Sequence, residues 1–340
     1  MPRQSFGPTM PLLSGSITPP GISSSGSAPP DPSEPESALH RTFFGPNGLR
    51  AGWRLLIFAA ILAIFIAGFQ YGGKLIEHGR PPQRTFSAAT MMIGEGIIFA
   101  ILLIASWIMA KIEGRTIGDY GLPWREAFQK EFWQGAMVGF AALTILLGTL
   151  RALGVFSFGA LALDGGTLVK FAALWGLAFV LVGFTEEFSL RGYPLFTLTT
   201  GIGFWPAAIL LSGAFGALHL GNHSEDWLGA LSAGSFGFLF CLILRRTGDL
   251  WMAIGFHAAW DWGETFFYGV PNSGLSAPGH MLDPSFHGAK ILTGGSVGPE
   301  GSAFCFVILI LCWLLFHFWL RDAKYPNPAA LGANPRRRSI

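Results

Sequence analysis

The sequence predicts an all-α protein, a polytopic transmembrane helix bundle of about eight spans. Three observations carry that expectation. Of 340 residues, 51% are hydrophobic and only 12% charged. Several apolar runs approach the ~20 residues that cross a bilayer as helix. The polar residues gather between those runs and in two tails, and a chain crossing lipid must satisfy its own backbone hydrogen bonds, which favours helices.

Taken in chain order, residues 1–40 are dense in Pro, Ser and Gly with no apolar stretch behind a basic start, so they read as a disordered tail and not a cleaved signal. Residues 41–324 form the membrane domain, with spans expected at 52–72, 88–110, 133–156, 171–198, 203–220, 228–244, 250–268 and 302–320. The fourth to seventh are richest in Gly and polar residues. Glycines there, including Gly176, Gly183, Gly213, Gly216, Gly234 and Gly237, suit close helix packing. The loop from Ser273 to Gly301 is long and poor in apolar runs, either a lid or a surface loop. Residues 325–340 are a second polar tail, whose Arg336-Arg337-Arg338 would sit near anionic lipid or simply keep the end soluble.

Charge sets the orientation. Of the 22 Lys and Arg, Arg3 is too far from a span to count and Arg191 lies within one; the other 20 divide 14 to 6 between the two sides. The richer side carries both termini, which the positive-inside rule places in the cytoplasm. A net charge of +2 with no basic aromatic surface gives no sign of a nucleic-acid partner. Cys241, Cys305 and Cys312 all fall within spans, and Cys305 and Cys312 are too far apart along one helix to bridge, so neither a disulfide framework nor a cysteine metal site is expected.

Charges at membrane depth are costly unless paired or facing a polar cavity, which makes them candidate functional residues. Glu186 and Glu187 close the apolar run Phe171 to Phe184, and Arg191 follows one turn later. Adjacent helical residues point about 100° apart, so Glu187 pairs with Arg191 at i, i+4 while Glu186 faces elsewhere. Phe215 and His219 in the fifth span, and His257 and Asp261 in the seventh, repeat the four-residue spacing. Taken alone, the charges would serve as well to staple helices, and each His as a packing residue. Depth brings them together: with a turn near Gly201, Glu186 and His219 lie roughly 22 and 27 Å from it, and His257 lies roughly 14 Å from the same side. Pro194 would kink the fourth helix and bring Glu186 nearer His257. Glu95 and Glu264 either extend this cavity or, as the commoner behaviour of such residues, pair or snorkel.

The stretches EEFSLR (Glu186 to Arg191), FGALH (Phe215 to His219) and HAAWD (His257 to Asp261) resemble the EExxxR, FxxxH and HxxxN/D motifs of the CAAX-protease and bacteriocin-processing family of intramembrane proteases. The resemblance covers roughly residues 169–265 and rests on three motifs in the same order and separation. It implies a helical bundle with the site in a cavity, a peptide substrate that is prenylated or otherwise membrane-associated, Glu186 activating water, His219 helping to hold it, His257 with Asp261 stabilising the oxyanion, and Glu187 and Arg191 as a supporting pair beside Phe215. An ionised Asp261 cannot donate to an oxyanion, so it would orient His257 or carry a proton itself. The family's metalloprotease label keeps zinc on Glu186, His219 and His257 as an alternative, but no HExxH helix is present and a metal-free glutamate mechanism is favoured. The rival from another class is a non-catalytic membrane protein, a proton-coupled transporter or an immunity-type binding protein.

Overall fold

Every expected span coincides with helix in the computed structural model, which describes residues 37–45, 48–76, 87–222 and 224–326. Most of the N-terminal tail, the stretch holding Arg80 and Arg84, His223 and the C-terminal arginine triplet lie outside the described residues. Helix α1 (Ala38–Phe43) is short and begins inside the expected tail. The membrane bundle follows: α2 (Ala51–Ile76), α3 (Ala88–Glu113), α4 (Lys130–Ala152), α5 (Gly165–Arg191), α6 (Tyr193–Ile202), α7 (Phe204–His219), α8 (Trp227–Thr247) and α9 (Trp251–Trp262), then the four-residue α10 (Lys290–Thr293) and finally α11 (Ala303–Trp319). Among the described residues, five stretches are long and apolar enough to cross a bilayer: α2, α3, α4, α5 with α6, and α8.

Local chemistry fixes the helix ends. Ser87 and Thr90 form a reciprocal capping box at the start of α3, and Gly114 ends it in the left-handed conformation. Asp226 caps α8 by accepting from Leu228 and Gly229 N–H at 2.8 and 3.0 Å. The fourth span is broken, as Pro194 suggests: α5 ends at Arg191, the chain turns at Gly192, and Pro194 enters the first turn of α6, where its missing N–H costs nothing. The following turn falls at Gly203, two residues beyond the expected position. Helix α4 stops at Ala152 rather than 156, because Phe156–Ser157 instead pairs antiparallel with Ser285–Phe286 and so ties down the 273–301 loop.

Burial explains the packing and the solvent. Leu143, Leu146, Leu147 and Leu150 of α4 are fully buried among α8, α9 and α11, whereas Ile64, Ile93, Ile209 and Phe318 are more than 60% exposed. In water such a coat would be an aggregation surface; in lipid it is solvated. Helices α4 and α9 touch backbone to backbone, because a Cβ on Gly135 would overlap the Met252 carbonyl oxygen. Gly135→Ala is expected to destabilise the protein by at least about 1–3 kcal/mol, read as a lower midpoint in detergent unfolding. Unchanged stability would mean that α4 and α9 do not meet at this distance. Of the glycines expected to serve packing, Gly216 passes close to the Ala230 carbonyl, but Gly213 meets nothing within 4 Å and has no such role.

Candidate active site

The turn at Gly192 leaves both glutamates near the end of α5, where α9 crosses it. Their fates differ as the 100° offset requires: the Glu187 side chain is fully buried and that of Glu186 is 32% exposed. Glu187 Oε1 accepts from Arg191 Nη1 at 3.0 Å and is also 2.9 Å from His257 Nδ1. One carboxylate thus binds both the cation on its own helix and the imidazole on α9. The Arg191 guanidinium lies over Phe215, 4.4 Å from the ring centroid, a cation–π contact in a desolvated site. Gly237 makes room for it, since a Cβ there would crowd Arg191 Nη2. Phe240 stacks on the His257 ring at 5.4 Å.

With Nδ1 committed to Glu187, His257 turns Nε2 toward two other carboxylates, Glu186 Oε2 at 3.6 Å and Asp261 Oδ2 at 3.5 Å. These lie beyond hydrogen-bond length. On α7, His219 sets Nδ1 2.9 Å from the Phe215 carbonyl oxygen, so Nδ1 donates and Nε2 is free. Glu186, His219, His257 and Asp261 all line one cavity of about 200 Å³ between α5, α7, α8 and α9. No direct hydrogen bond joins Glu186 to His219 among the described residues.

Five further polar residues line the same cavity without a signal in the sequence: Asn222, just past α7, and Thr265, Asn272, Ser273 and Glu300 from the segment after α9. A loop Asn or Ser carries no periodicity to betray where it folds. Glu300 Oε2 accepts from the Ser273 N–H and hydroxyl at 3.0 and 2.8 Å, which fastens one end of that segment to the other. Glu95 does extend the cavity, from α3. Glu264 is fully buried instead of snorkelling.

The zinc alternative meets a geometric test. Among the described residues, the only set of three His, Cys, Asp or Glu side chains with ligand atoms all within 4.8 Å of one another is Asp261, Glu264 and Glu300. Glu186, His219 and His257 do not converge in that way, so this arrangement does not fit a zinc bound by those three.

Glu225 lies in the turn between α7 and α8, where burial pushes its carboxyl up to about 7. The Asp226 N–H opposes the shift in part, Glu300 adds to it and His219 opposes it. Its folded-state value therefore lies above the ordinary 4.5, so the native state holds the extra proton and stability falls as pH rises from 4.5 through about 7. Glu225→Gln is expected to flatten that part of the stability profile relative to wild type. Superimposable profiles in thermal unfolding would remove Glu225 as its source.

Residues 168–263 match the family model described as type II CAAX prenyl endopeptidase Rce1-like. The matched stretch contains all three motifs and ends two residues after Asp261, so the Rce1-like region supplies α5 to α9. No curated protein and no solved structure matches the chain. The chain is thus a helical membrane protein with a CAAX-protease-like region, and its helices α2 to α4 and α11 lie outside that match.

Proposed function

We propose that the protein is an intramembrane endopeptidase that hydrolyses a peptide bond in a membrane-associated substrate: a prenylated C-terminus, a leader peptide or another lipid-bound chain. The observation that carries this reading is the single cavity lined by Glu186, His219, His257 and Asp261. Glu186, the exposed member of its pair, removes a proton from water as the oxygen adds to the scissile carbonyl carbon. It then returns that proton to the leaving amine. His219 Nε2 helps to hold the water. His257 Nε2, when protonated, donates to the developing oxyanion, and Asp261 supports that proton. Glu187 positions His257, and Arg191 balances the charge of Glu187.

Two experiments test this reading. Cells carrying wild-type protein should show peptide termini that are missing from cells carrying Glu186→Gln at equal membrane abundance. Identical sets of termini, together with vectorial transport by the purified protein in liposomes, would favour the transporter instead. For topology, both termini are proposed to be cytoplasmic, and reporter fusions should place them so. Either terminus on the far side would overturn the eight-span arrangement.

A further inference from the structure

Behind His257, the end of α9 winds into a π-helical turn, Gly263–Tyr268, a local geometry often found at functional sites. It carries Glu264 into the interior with no exposed surface, beside the Trp260 indole, and neither carboxylate oxygen makes a hydrogen bond of good geometry among the described residues. Asp261 lies one turn before it and Glu300 reaches in from the turn Pro299–Gly301, so that oxygens of all three are within 4.8 Å of one another. Three carboxylates at that spacing repel in a low dielectric unless a cation or protons neutralise them. No Lys or Arg among the described residues forms an ion pair with any of the three; Arg191 pairs with Glu187, and Lys290 with Asp226 at 2.6 Å. Among the described residues, the one basic side chain within ion-pair distance of any of the three is His257, 3.5 Å from Asp261.

From this geometry we propose that Asp261, Glu264 and Glu300 bind one hard divalent cation of the calcium class, which ties the segment after α9 to the wall of the cavity. All three side chains offer oxygen and none offers nitrogen or sulfur, which selects Ca²⁺ or Mg²⁺ over zinc. Three protein carboxylates from separate turns suit Ca²⁺, which accepts about six to eight oxygens in flexible geometry, whereas Mg²⁺ demands a near-ideal octahedron and is usually held by one or two carboxylates with several waters. Both Ser273 bonds to Glu300 go to Oε2, leaving Oε1 free to ligate. Asp261 and Glu300 line the cavity, from which water completes the coordination. This site shares Asp261 with the proposed protease centre but does not depend on peptide cleavage.

The test uses purified full-length protein in detergent, stripped with a chelator and dialysed against radioactive Ca²⁺. Wild type is expected to bind about one ion per chain, and Glu300→Gln and Glu264→Gln to weaken binding by roughly tenfold or more. Chelation should lower the unfolding midpoint and open the stretch from Gly269 to Ser302 to added protease. If Glu264→Gln fails to fold, wild type and Glu300→Gln decide the matter, because Glu300 is only partly buried. Folded wild type that binds no Ca²⁺ at millimolar concentration, with its midpoint unmoved by chelator, would show that protons neutralise the cluster and would overturn the proposal. Ca²⁺ binding by Glu300→Gln equal to wild type, or a clear preference for Mg²⁺, would overturn it too. No readout involves proteolysis, so failure here and failure of the protease reading are separate results.

Discussion

Glu186→Gln is expected to slow peptide-bond cleavage by about 10²–10⁴-fold, the contribution of a positioned general base, while leaving stability within about 0.5 kcal/mol of wild type. The two halves of that expectation have one cause. Glu186 faces the cavity with 32% of its side chain exposed, and its ion-pair contact, His257 Nε2 at 3.6 Å, is longer than a hydrogen bond. Its negative charge therefore contributes little to folding, yet it is the carboxylate best placed to take a proton from water in the cavity. Glutamine keeps the shape and loses the basicity. His219→Ala should likewise reduce cleavage, by removing the neighbour that holds the water. The measurement is single-turnover cleavage of a substrate identified from cellular termini, alongside thermal unfolding of the same preparations. Equal rates for wild type and Glu186→Gln would exclude the glutamate mechanism.

The division of labour between the two glutamates was partly legible in the sequence. Helical geometry alone separates adjacent residues and joins Glu187 to Arg191, and the ion pair at 3.0 Å follows that rule. Pro194 likewise announced the break at Gly192. What the sequence could not reveal is that Glu187 also binds His257, 70 positions away, because that contact depends on how α9 crosses α5. The crossing is set by packing, not by any local pattern. Glu264 is a second case: an acid near the end of an apolar run looks the same whether it reaches outward or is wound inward by a π-helical turn. Asn222, Asn272, Ser273 and Glu300 are a third, since loop residues reach the cavity through tertiary folding alone.

Glu187→Gln is expected to act through the fold rather than through chemistry, destabilising the protein by about 3–5 kcal/mol, the penalty for removing one partner of a buried ion pair. Arg191 has 1% of its side chain exposed, and its Nη2 already lacks a hydrogen bond, so the guanidinium has no route to water once its counter-charge is gone. The Phe215 and Phe240 rings offer it their faces but carry no net charge. The same substitution weakens the hold on His257 Nδ1, so activity should fall as well. Stability loss and activity loss are separable with a second change. In Glu187→Gln/Arg191→Met no unpaired charge remains in the interior, and most of the lost stability should return. Cleavage should stay low, because His257 still lacks its anionic anchor. Reversible unfolding in mixed micelles and cleavage assays on the recovered protein read the two effects independently. If the double variant is no more stable than Glu187→Gln, the penalty does not come from a stranded Arg191. If it cleaves at the wild-type rate, Glu187 does not position His257.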